Sequence, residues 1–338
     1  MAVFKSGLPV LSTRYFLVVF GIAVFTALCF LIALCLGSLD ISPSEIINMM
    51  SGSDTVLKGR IIVEIRLPRV LTGLYVGGML ALAGCLMQIL LRNPLADPYV
   101  LGVSGGAAVF ALLAIITGLS GAWVSGSAFI GASLSIMLVF ILSRWGNDWN
   151  PLRILLTGVV VAAGWGAIIS FLLAVSPPDQ IHGMLFWIMG DLAYVQDSLW
   201  NPVILLGILL ACLLNARSMN LLATGELNAS ALGVSVPRLQ YFIYFAASLL
   251  TATAVMQGGS IGFIGLVVPH LARILFGSDH RILLPVSVML GGSLLIMADG
   301  LARSIIAPEQ LPVGVLTAMI GVPLFLLLLQ TIMIRQRT

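Results

Sequence analysis

Three arginines carry the most unusual chemistry in this chain. Arg66 and Arg69 stand three residues apart in the sequence RLPR, and Arg303 lies near the end of a later apolar block. A guanidinium group can bind a carboxylate through two parallel hydrogen bonds, so such residues recognise acidic side chains. Pro68 suits the first turn of a helix, where its missing N–H costs little. The three guanidinium groups are predicted to face water and bind acidic residues of another protein; snorkelling to lipid headgroups is the alternative.

The acidic residues indicate little capacity for ion coupling. A proton- or ion-driven transporter normally places carboxylates deep within its membrane helices, whereas nearly all of the 13 Asp and Glu residues map to joints or block ends. The deepest is Asp299, four residues before Arg303, a spacing that predicts a local ion pair on one helix. Energy for transport is therefore expected from outside the chain. An ion-coupled secondary transporter that needs no ATPase remains the alternative function.

The chain lacks the motifs of an enzyme. Its two lysines, Lys5 and Lys58, do not end a GxxxxGK[ST] run, so the sequence holds no phosphate-binding P-loop. No HExxH motif or nucleophile elbow occurs, and no Cys or His spacing fits a metal site. No basic cluster is interleaved with aromatic residues, which argues against a nucleic-acid partner. We predict no catalytic residue and no metal or other cofactor bound by this chain.

Ten long apolar blocks must position the arginines and carboxylates described above. Hydrophobic residues make up 60% of the chain and charged residues 9%, and the mean hydropathy is +1.13. Because a bilayer core needs about 20 apolar residues per helix, the sequence predicts an all-α polytopic membrane protein with about ten transmembrane helices. The third and eighth blocks are rich in Gly and begin near Pro, so short or broken helices are expected there, and nine spans is an alternative. The predicted spans are 16–36, 66–91, 95–116, 123–143, 153–174, 195–214, 239–257, 261–276, 282–306 and 312–333.

The basic residues predict the orientation. With ten crossings and a cytoplasmic N-terminus, most of the 16 Lys and Arg residues lie on the cytoplasmic side, as the positive-inside rule requires. Both termini are then cytoplasmic. Arg66, Arg69 and Arg303 fall on the outer side, as exceptions that need a reason.

The longest hydrophilic stretch on the predicted inner side runs from residue 215 to 240. Gly225, Gly233 and Pro237 interrupt it, which predicts two short amphipathic helices joined near Gly225 and Glu226. A structural connector could be about five residues long. The extra length favours docking to a soluble partner over a simple connector.

Two joints and two glycine series complete the pattern. The inner joint over 147–152 supplies a candidate inner gate, Asn150, Pro151 and Leu152, and the outer segment over 175–195 is predicted to be a cap with a short helix over 184–189. Recurrent glycines predict close helix packing. They are Gly73, Gly77, Gly78 and Gly84 in the second span, and Gly158, Gly164 and Gly166 in the fifth.

Three stretches resemble a known family. They are RLPRVLTGLYVGGMLALAGCLMQILLRNPLADPYVLGVSGGAA (66–108), GSIGFIGLVVPHLARILFGSDHRILLP (259–285) and LPVGVLTAMIGVPLFLLLL (311–329). In order and spacing the chain is similar to the FecCD-type permeases of ABC importers for iron-siderophores, haem and cobalamin. The resemblance covers essentially the whole chain.

The resemblance implies a function and a set of partners. It implies the type II ABC importer permease fold, a single transmembrane permease domain over 1–338, and a bacterial cytoplasmic (inner) membrane location. A second permease copy, two cytoplasmic ATPase subunits that carry ATP and Mg, and a periplasmic substrate-binding protein are the implied partners. The cargo is a metal chelate, and the sequence does not separate ferric siderophore, haem and cobalamin.

The resemblance also assigns roles to residues. Arg66, Arg69 and Arg303 are expected to dock the binding protein. The loop at about 215–238 is expected to couple to the ATPase. Its implied contact residues are Leu221, Leu222, Gly225, Glu226, Ala231, Leu232 and Gly233.

Overall fold

A computed structural model describes residues 13–37, 59–143, 150–193 and 200–335, and these ranges are helical, with no strand among them. A π-helical turn, Ile61–Arg66, leads into α2, and a 3-10 turn, Pro98–Leu101, precedes α3. The α-helices are α1 Thr13–Cys35, α2 Leu67–Leu90, α3 Val103–Ile116, α4 Ala122–Ser143, α5 Pro151–Val175, α6 Pro178–Met189, α7 Trp200–Leu214, α8 Ala216–Ala223, α9 Glu226–Ala231, α10 Val236–Gly258, α11 Ile264–Phe276, α12 His280–Ala302 and α13 Val313–Arg335.

Each of the ten predicted apolar blocks forms a helix. Within the described ranges, six helices are long and apolar enough to cross a membrane, and α7 with α8 forms a bent pair at 65° that would make a seventh. Three apolar helices are shorter, among them α3 with 14 residues and α11 with 13. The prediction that the third and eighth blocks are short is therefore confirmed. Both helices begin several residues after the start of the predicted block. The residue before each helix, Gly102 or Phe263, has a left-handed backbone, with φ of 68° and 69°, which a helix does not continue through.

Helix α2 is the centre of the bundle. It packs against α10, α11 and α12, and its buried residues lie on every side of the helix. A Cβ at Gly84 would lie 1.8 Å from the carbonyl oxygen of Gly265, and one at Gly77 would lie 2.3 Å from that of Gly291. Backbone therefore touches backbone at both crossings, which no residue with a side chain permits. The predicted close packing through the glycines of this span is confirmed.

The glycines of α5 divide into two groups. Gly158 meets the backbone of Val100, where a Cβ would lie 2.1 Å from the carbonyl oxygen. Gly164 and Gly166 have no described atom within 4 Å of a built Cβ. The prediction of close packing is therefore wrong for Gly164 and Gly166 in the single chain. Helix α5 lies at the edge of the bundle and buries only Ile154, Gly158 and Leu172.

The helix bundle has an arginine end and a loop end. The arginine end holds the start of α2, with Arg66 and Arg69, together with the last turns of α1 and α12. The loop end holds the other terminus of α2 and the short helices α8 and α9. The 24 residues of α2 separate the two ends by about 36 Å, at about 1.5 Å per residue.

The predicted cap helix is longer than expected. Residues 184–189 are helical as expected, but α6 begins at Pro178. Proline is well suited to the first helical turn, and the acidic side chain of Asp179 is favourable near the positive end of the helix dipole. These two residues were a start signal that the sequence prediction did not use.

The packing around α2 gives a stability prediction. Replacing Gly84 with Ala forces a methyl group into the Gly265 carbonyl, and we expect this overpacking to cost about 1–3 kcal/mol. Thermal unfolding of the purified protein in detergent should show a lower midpoint for Gly84→Ala. Gly21→Ala is the matched control, because Gly21 in α1 faces open space, and its midpoint should be unchanged or higher. Equal midpoints for the two variants would contradict the backbone contact.

Candidate functional site

At the arginine end, one carboxylate binds two guanidinium groups. Arg69 donates from Nε and Nη2 to Asp299 Oδ1 at 3.0 and 2.8 Å. Arg303 Nε lies 3.0 Å from Asp299 Oδ2. Arg69 also donates from Nη1 to Gln310 Oε1 at 2.9 Å. The ion pair predicted between residues 299 and 303 is confirmed, and it is one part of a larger network.

The guanidinium groups are turned inward. Arg66, Arg69 and Arg303 are 4%, 7% and 5% exposed, and Asp299 is 1% exposed. The expectation that these arginines face water is therefore wrong for the single chain. Burial of charge at this level is tolerated only when the charges are paired and hydrogen-bonded.

The last turn of α1 explains why the arginines point inward. Arg66 Nη1 donates to the carbonyl oxygens of Leu34 and Cys35 at 2.8 and 2.9 Å, and Arg303 Nη2 donates to that of Ala33 at 3.2 Å. The final carbonyls of a helix have no partner within it and form the negative end of its dipole. The arginines therefore fasten α1 to α2 and α12.

A second carboxylate joins the network from the α6–α7 joint. Asp191 Oδ1 lies 3.5 Å from Arg69 Nη2 and accepts a hydrogen bond from the Ala193 amide at 2.9 Å. Burial raises the pKa of Asp191, and the Arg69 guanidinium only partly offsets this effect. Sequence reasoning missed Asp191 and Gln310, because no spacing links these two residues to a helix more than 100 positions away.

At the loop end, the two predicted amphipathic helices are present. Helices α8 and α9 are separated by Thr224 and Gly225, and Gly225 has a φ of +123° that favours glycine. Leu222 is buried and Leu221 is half-buried, so these two predicted contact residues anchor the loop to the bundle.

The exposed side of this loop carries apolar residues. Leu232 is 65% exposed, and the neighbouring predicted residues Ala231 and Gly233 are also exposed. Leu227 is 88% exposed and was missed, although it stands one residue after Glu226. Leu227 and Leu232 are therefore apolar groups that no described residue of this chain covers.

Glu226 ties the loop to the bundle. Its carboxylate lies 2.7 Å from Arg92 Nη2, just beyond the end of α2, and accepts a hydrogen bond from Gln240 Nε2 of α10 at 3.0 Å. The prediction singled out Glu226 but not its partners. A movement of α9 would therefore reach α2 and α10 directly through this one side chain.

The candidate inner-gate residues lie at the start of α5. Asn150 Oδ1 accepts a hydrogen bond from the Leu152 amide at 2.9 Å, which is an N-cap, and Pro151 occupies the first turn. With Asn93 and Leu95 these residues line an open cleft of about 460 Å³. Residues 147–149 of the same joint lie outside the described residues, and the gate role remains a prediction.

Comparison with known proteins decides the family. Residues 25–331 match the model of the FecCD transport family. The chain belongs to this family. It is 42% identical to the hemin transport system permease protein HmuU of Yersinia pestis, over 81% of this chain and 83% of that protein. It is also 42% identical to the cobalamin import system permease protein BtuC of Halobacterium salinarum, over 80% of this chain and 73% of that protein.

A solved structure agrees with the fold. An inward-facing putative metal-chelate type ABC transporter superposes with a TM-score of 0.81 at 31% identity, over 93% of this chain and 99% of that chain. The chain is therefore an ABC transporter permease with the type II importer fold, as the resemblance implied. It is a multi-pass membrane protein of a family of transport permeases.

The arginine end gives the second prediction. Replacing Asp299 with Asn removes the charge that compensates Arg69 and Arg303, and breaking a buried pair in this way costs about 3–5 kcal/mol. We expect a clearly lower thermal midpoint in detergent for Asp299→Asn. The matched control is Glu309→Gln, since Glu309 is exposed at the same end and should tolerate the change. A midpoint for Asp299→Asn equal to that of the control would exclude a stabilising role for the network.

Proposed function

We propose that this chain is the transmembrane subunit of an ATP-binding-cassette importer that moves a metal chelate from the periplasm to the cytoplasm, driven by separate ATPase subunits. One observation supports an energy source outside this chain. The loop end presents exposed leucines on a pair of short helices, while the sequence has no P-loop of its own. A permease that cannot bind ATP in that way must receive force at a surface. The α8–α9 loop is the surface that fits.

The proposed coupling acts through the loop residues described above. ATPase subunits would pack on Leu227 and Leu232 and move α9. The Glu226 side chain would pass that movement to Arg92 after α2 and to Gln240 in α10. ATP and Mg would be bound by the ATPase subunits, and this chain would hold no cofactor.

The arginine end is the proposed docking site for a periplasmic substrate-binding protein. Carboxylates of that protein would compete with Asp299 and Asp191 for Arg69. The burial of the arginines means that docking requires an exchange of partners and not simple contact with an open patch. The proposed orientation places this end outside and both termini in the cytoplasm of a bacterial cell, with the chain in the inner membrane.

A second permease copy is proposed to pack against α5. Gly164 and Gly166 leave room on a helix that is otherwise apolar and exposed, and small residues at a lipid-facing surface favour close helix contact. The named relatives transport hemin and cobalamin. The proposed cargo is therefore a chelate of this class: a ferric siderophore, haem or cobalamin.

Disruption of the exposed loop surface should separate the ATPase from the permease. We expect Leu227→Asp and Leu232→Asp to lose co-purification of the ATPase subunit and ATP-driven uptake into vesicles, because both leucines are exposed and their replacement leaves the fold intact. Ser230→Asp is the control: it adds the same charge on the exposed side of α9 without removing an apolar contact. Uptake that persists with a Walker-lysine variant of the ATPase would instead favour the ion-coupled transporter.

The docking role can be separated from the internal role of the arginines. The double variant Arg69→Gln/Asp299→Asn removes one positive and one negative charge together, so the buried site gains no new net charge. We expect the affinity of the binding protein for the reconstituted permease to fall about tenfold or more, because a charge pair across an interface is lost. Asp299→Asn alone serves as the comparison. An affinity equal to that of the unaltered protein would restrict Arg69 to a structural role.

A further inference from the structure

The second family-like stretch contains polar residues that the proposed function does not use. Within GSIGFIGLVVPHLARILFGSDHRILLP, His270 and Arg273 lie in α11, and Asp279 and His280 form the start of α12. In the structure these side chains gather at the loop end. With Asn220 of α8 and Thr224, which follows α8, they line an open pocket of about 760 Å³.

His270 is buried without a partner. The residue is 6% exposed, and neither ring nitrogen has a hydrogen-bond partner in the part of the chain that the structure describes. A buried polar group left in this state costs about 1–3 kcal/mol, so a native protein keeps it only where something else satisfies it. Both nitrogens are covered in the structure, and the side chain lines the pocket, so a rotation of the ring would bring a nitrogen to an occupant of the pocket.

Arg273 supplies a charge to the same pocket. It donates from Nη2 to Gln88 Oε1 at 3.1 Å, and no carboxylate of the described residues forms an ion pair with it. Gln88 is itself fixed by donation to the Leu266 carbonyl at 3.3 Å. The guanidinium is therefore held in place by a neutral group, and no carboxylate among the described residues pairs with it.

The nearby acid is already engaged elsewhere. Asp279 Oδ1 accepts hydrogen bonds from Asn220 Nδ2 at 2.8 Å and from the Arg281 amide at 3.0 Å. Burial opposes ionisation of this carboxyl, but these hydrogen bonds, together with the nearby charges of Arg281 and His280, lower its pKa. Asp279 therefore caps α12 and links it to α8, which leaves Arg273 available to an external anion.

The position of the pocket decides what kind of anion reaches it. On α11 the exposed apolar side chains are Ile274 and Leu275, at 46% and 61% exposure, while Arg273 donates a hydrogen bond to Gln88 of α2. The pocket wall continues to the end of α8, through Ala223 and the following Thr224, and so reaches the proposed coupling loop.

We infer that this pocket, built by His270 and Arg273 beside α8, receives an acidic side chain of the ATPase subunit, whose carboxylate bonds to both residues. The inference rests on the proposed function, because it requires that a soluble ATPase docks on the α8–α9 loop. It adds a polar anchor next to the apolar contact made by Leu227 and Leu232. A carboxylate there would compensate Arg273 and satisfy His270 together.

The test measures the affinity of the purified ATPase subunit for the full-length permease in nanodiscs. We expect Arg273→Glu to weaken binding about tenfold or more and Arg273→Lys, which keeps the charge, to weaken it less. Arg281→Glu is the matched control, because Arg281 is an exposed basic residue at the same end whose side chain does not line the pocket. A photo-crosslinker in place of Ser278, at the pocket wall, should join to an ATPase peptide that contains Asp or Glu.

Each alternative result has a distinct meaning. If the unaltered permease binds no ATPase subunit, the proposed function fails. If it binds but Arg273→Glu and Arg281→Glu weaken binding equally, or neither does, the pocket inference alone is overturned. Native mass spectrometry that finds an anionic phospholipid retained by the unaltered protein and lost from Arg273→Gln would also overturn it, in favour of a lipid headgroup.

Discussion

The contact of bare backbone with bare backbone along α2 is the constraint on which the structure depends. At Gly84 and Gly77 the helix lies against the carbonyls of Gly265 and Gly291, so its distance and rotation relative to α11 and α12 are fixed at two points. In a bilayer no hydrophobic force drives helices together, and close packing of small residues must supply the association. Once α2 is held in this way, its two termini place Arg69 at one end of the bundle and Arg92 at the other.

The two ends of α2 treat their charges differently. At the arginine end, Arg69 and Arg303 share the carboxylate of Asp299, and the α1 carbonyls accept from Arg66 and Arg303, so charge is buried and compensated within the chain. At the loop end, the Arg92–Glu226 pair is partly exposed, and Arg273 has only Gln88 as a described hydrogen-bond partner. At the arginine end, the described charges are therefore paired inside the bundle. At the loop end, they are partly exposed, and Arg273 has no described carboxylate partner.

The sequence predicted the helices well because lipid imposes a simple rule. Every apolar block had to become a helix, since lipid offers no other hydrogen-bond partner for the backbone. The short lengths of α3 and α11 were predicted from the Gly and Pro residues in those blocks. The two short helices of the loop over residues 215–238 also followed from local pattern. The inward direction of Arg66, Arg69 and Arg303 was not predictable. It depends on α1 carbonyls more than 30 residues away and on Asp299, which only the packed bundle brings next to Arg69.

This asymmetry bears on how two proposed partners would act. A binding protein at the arginine end would have to replace carboxylates that already bind Arg69, so its docking energy would be spent partly in loosening α1, α2 and α12 from one another. An ATPase at the loop end would meet leucines that are already exposed and, in the further inference, a guanidinium that lacks a counter-charge. Its docking would require no internal bond to break. A ligand shifts a conformational equilibrium only by its differential affinity for the two states. On these proposals, binding at the arginine end would change the conformation of the permease, and the loop end would stay bound throughout the cycle and transmit force.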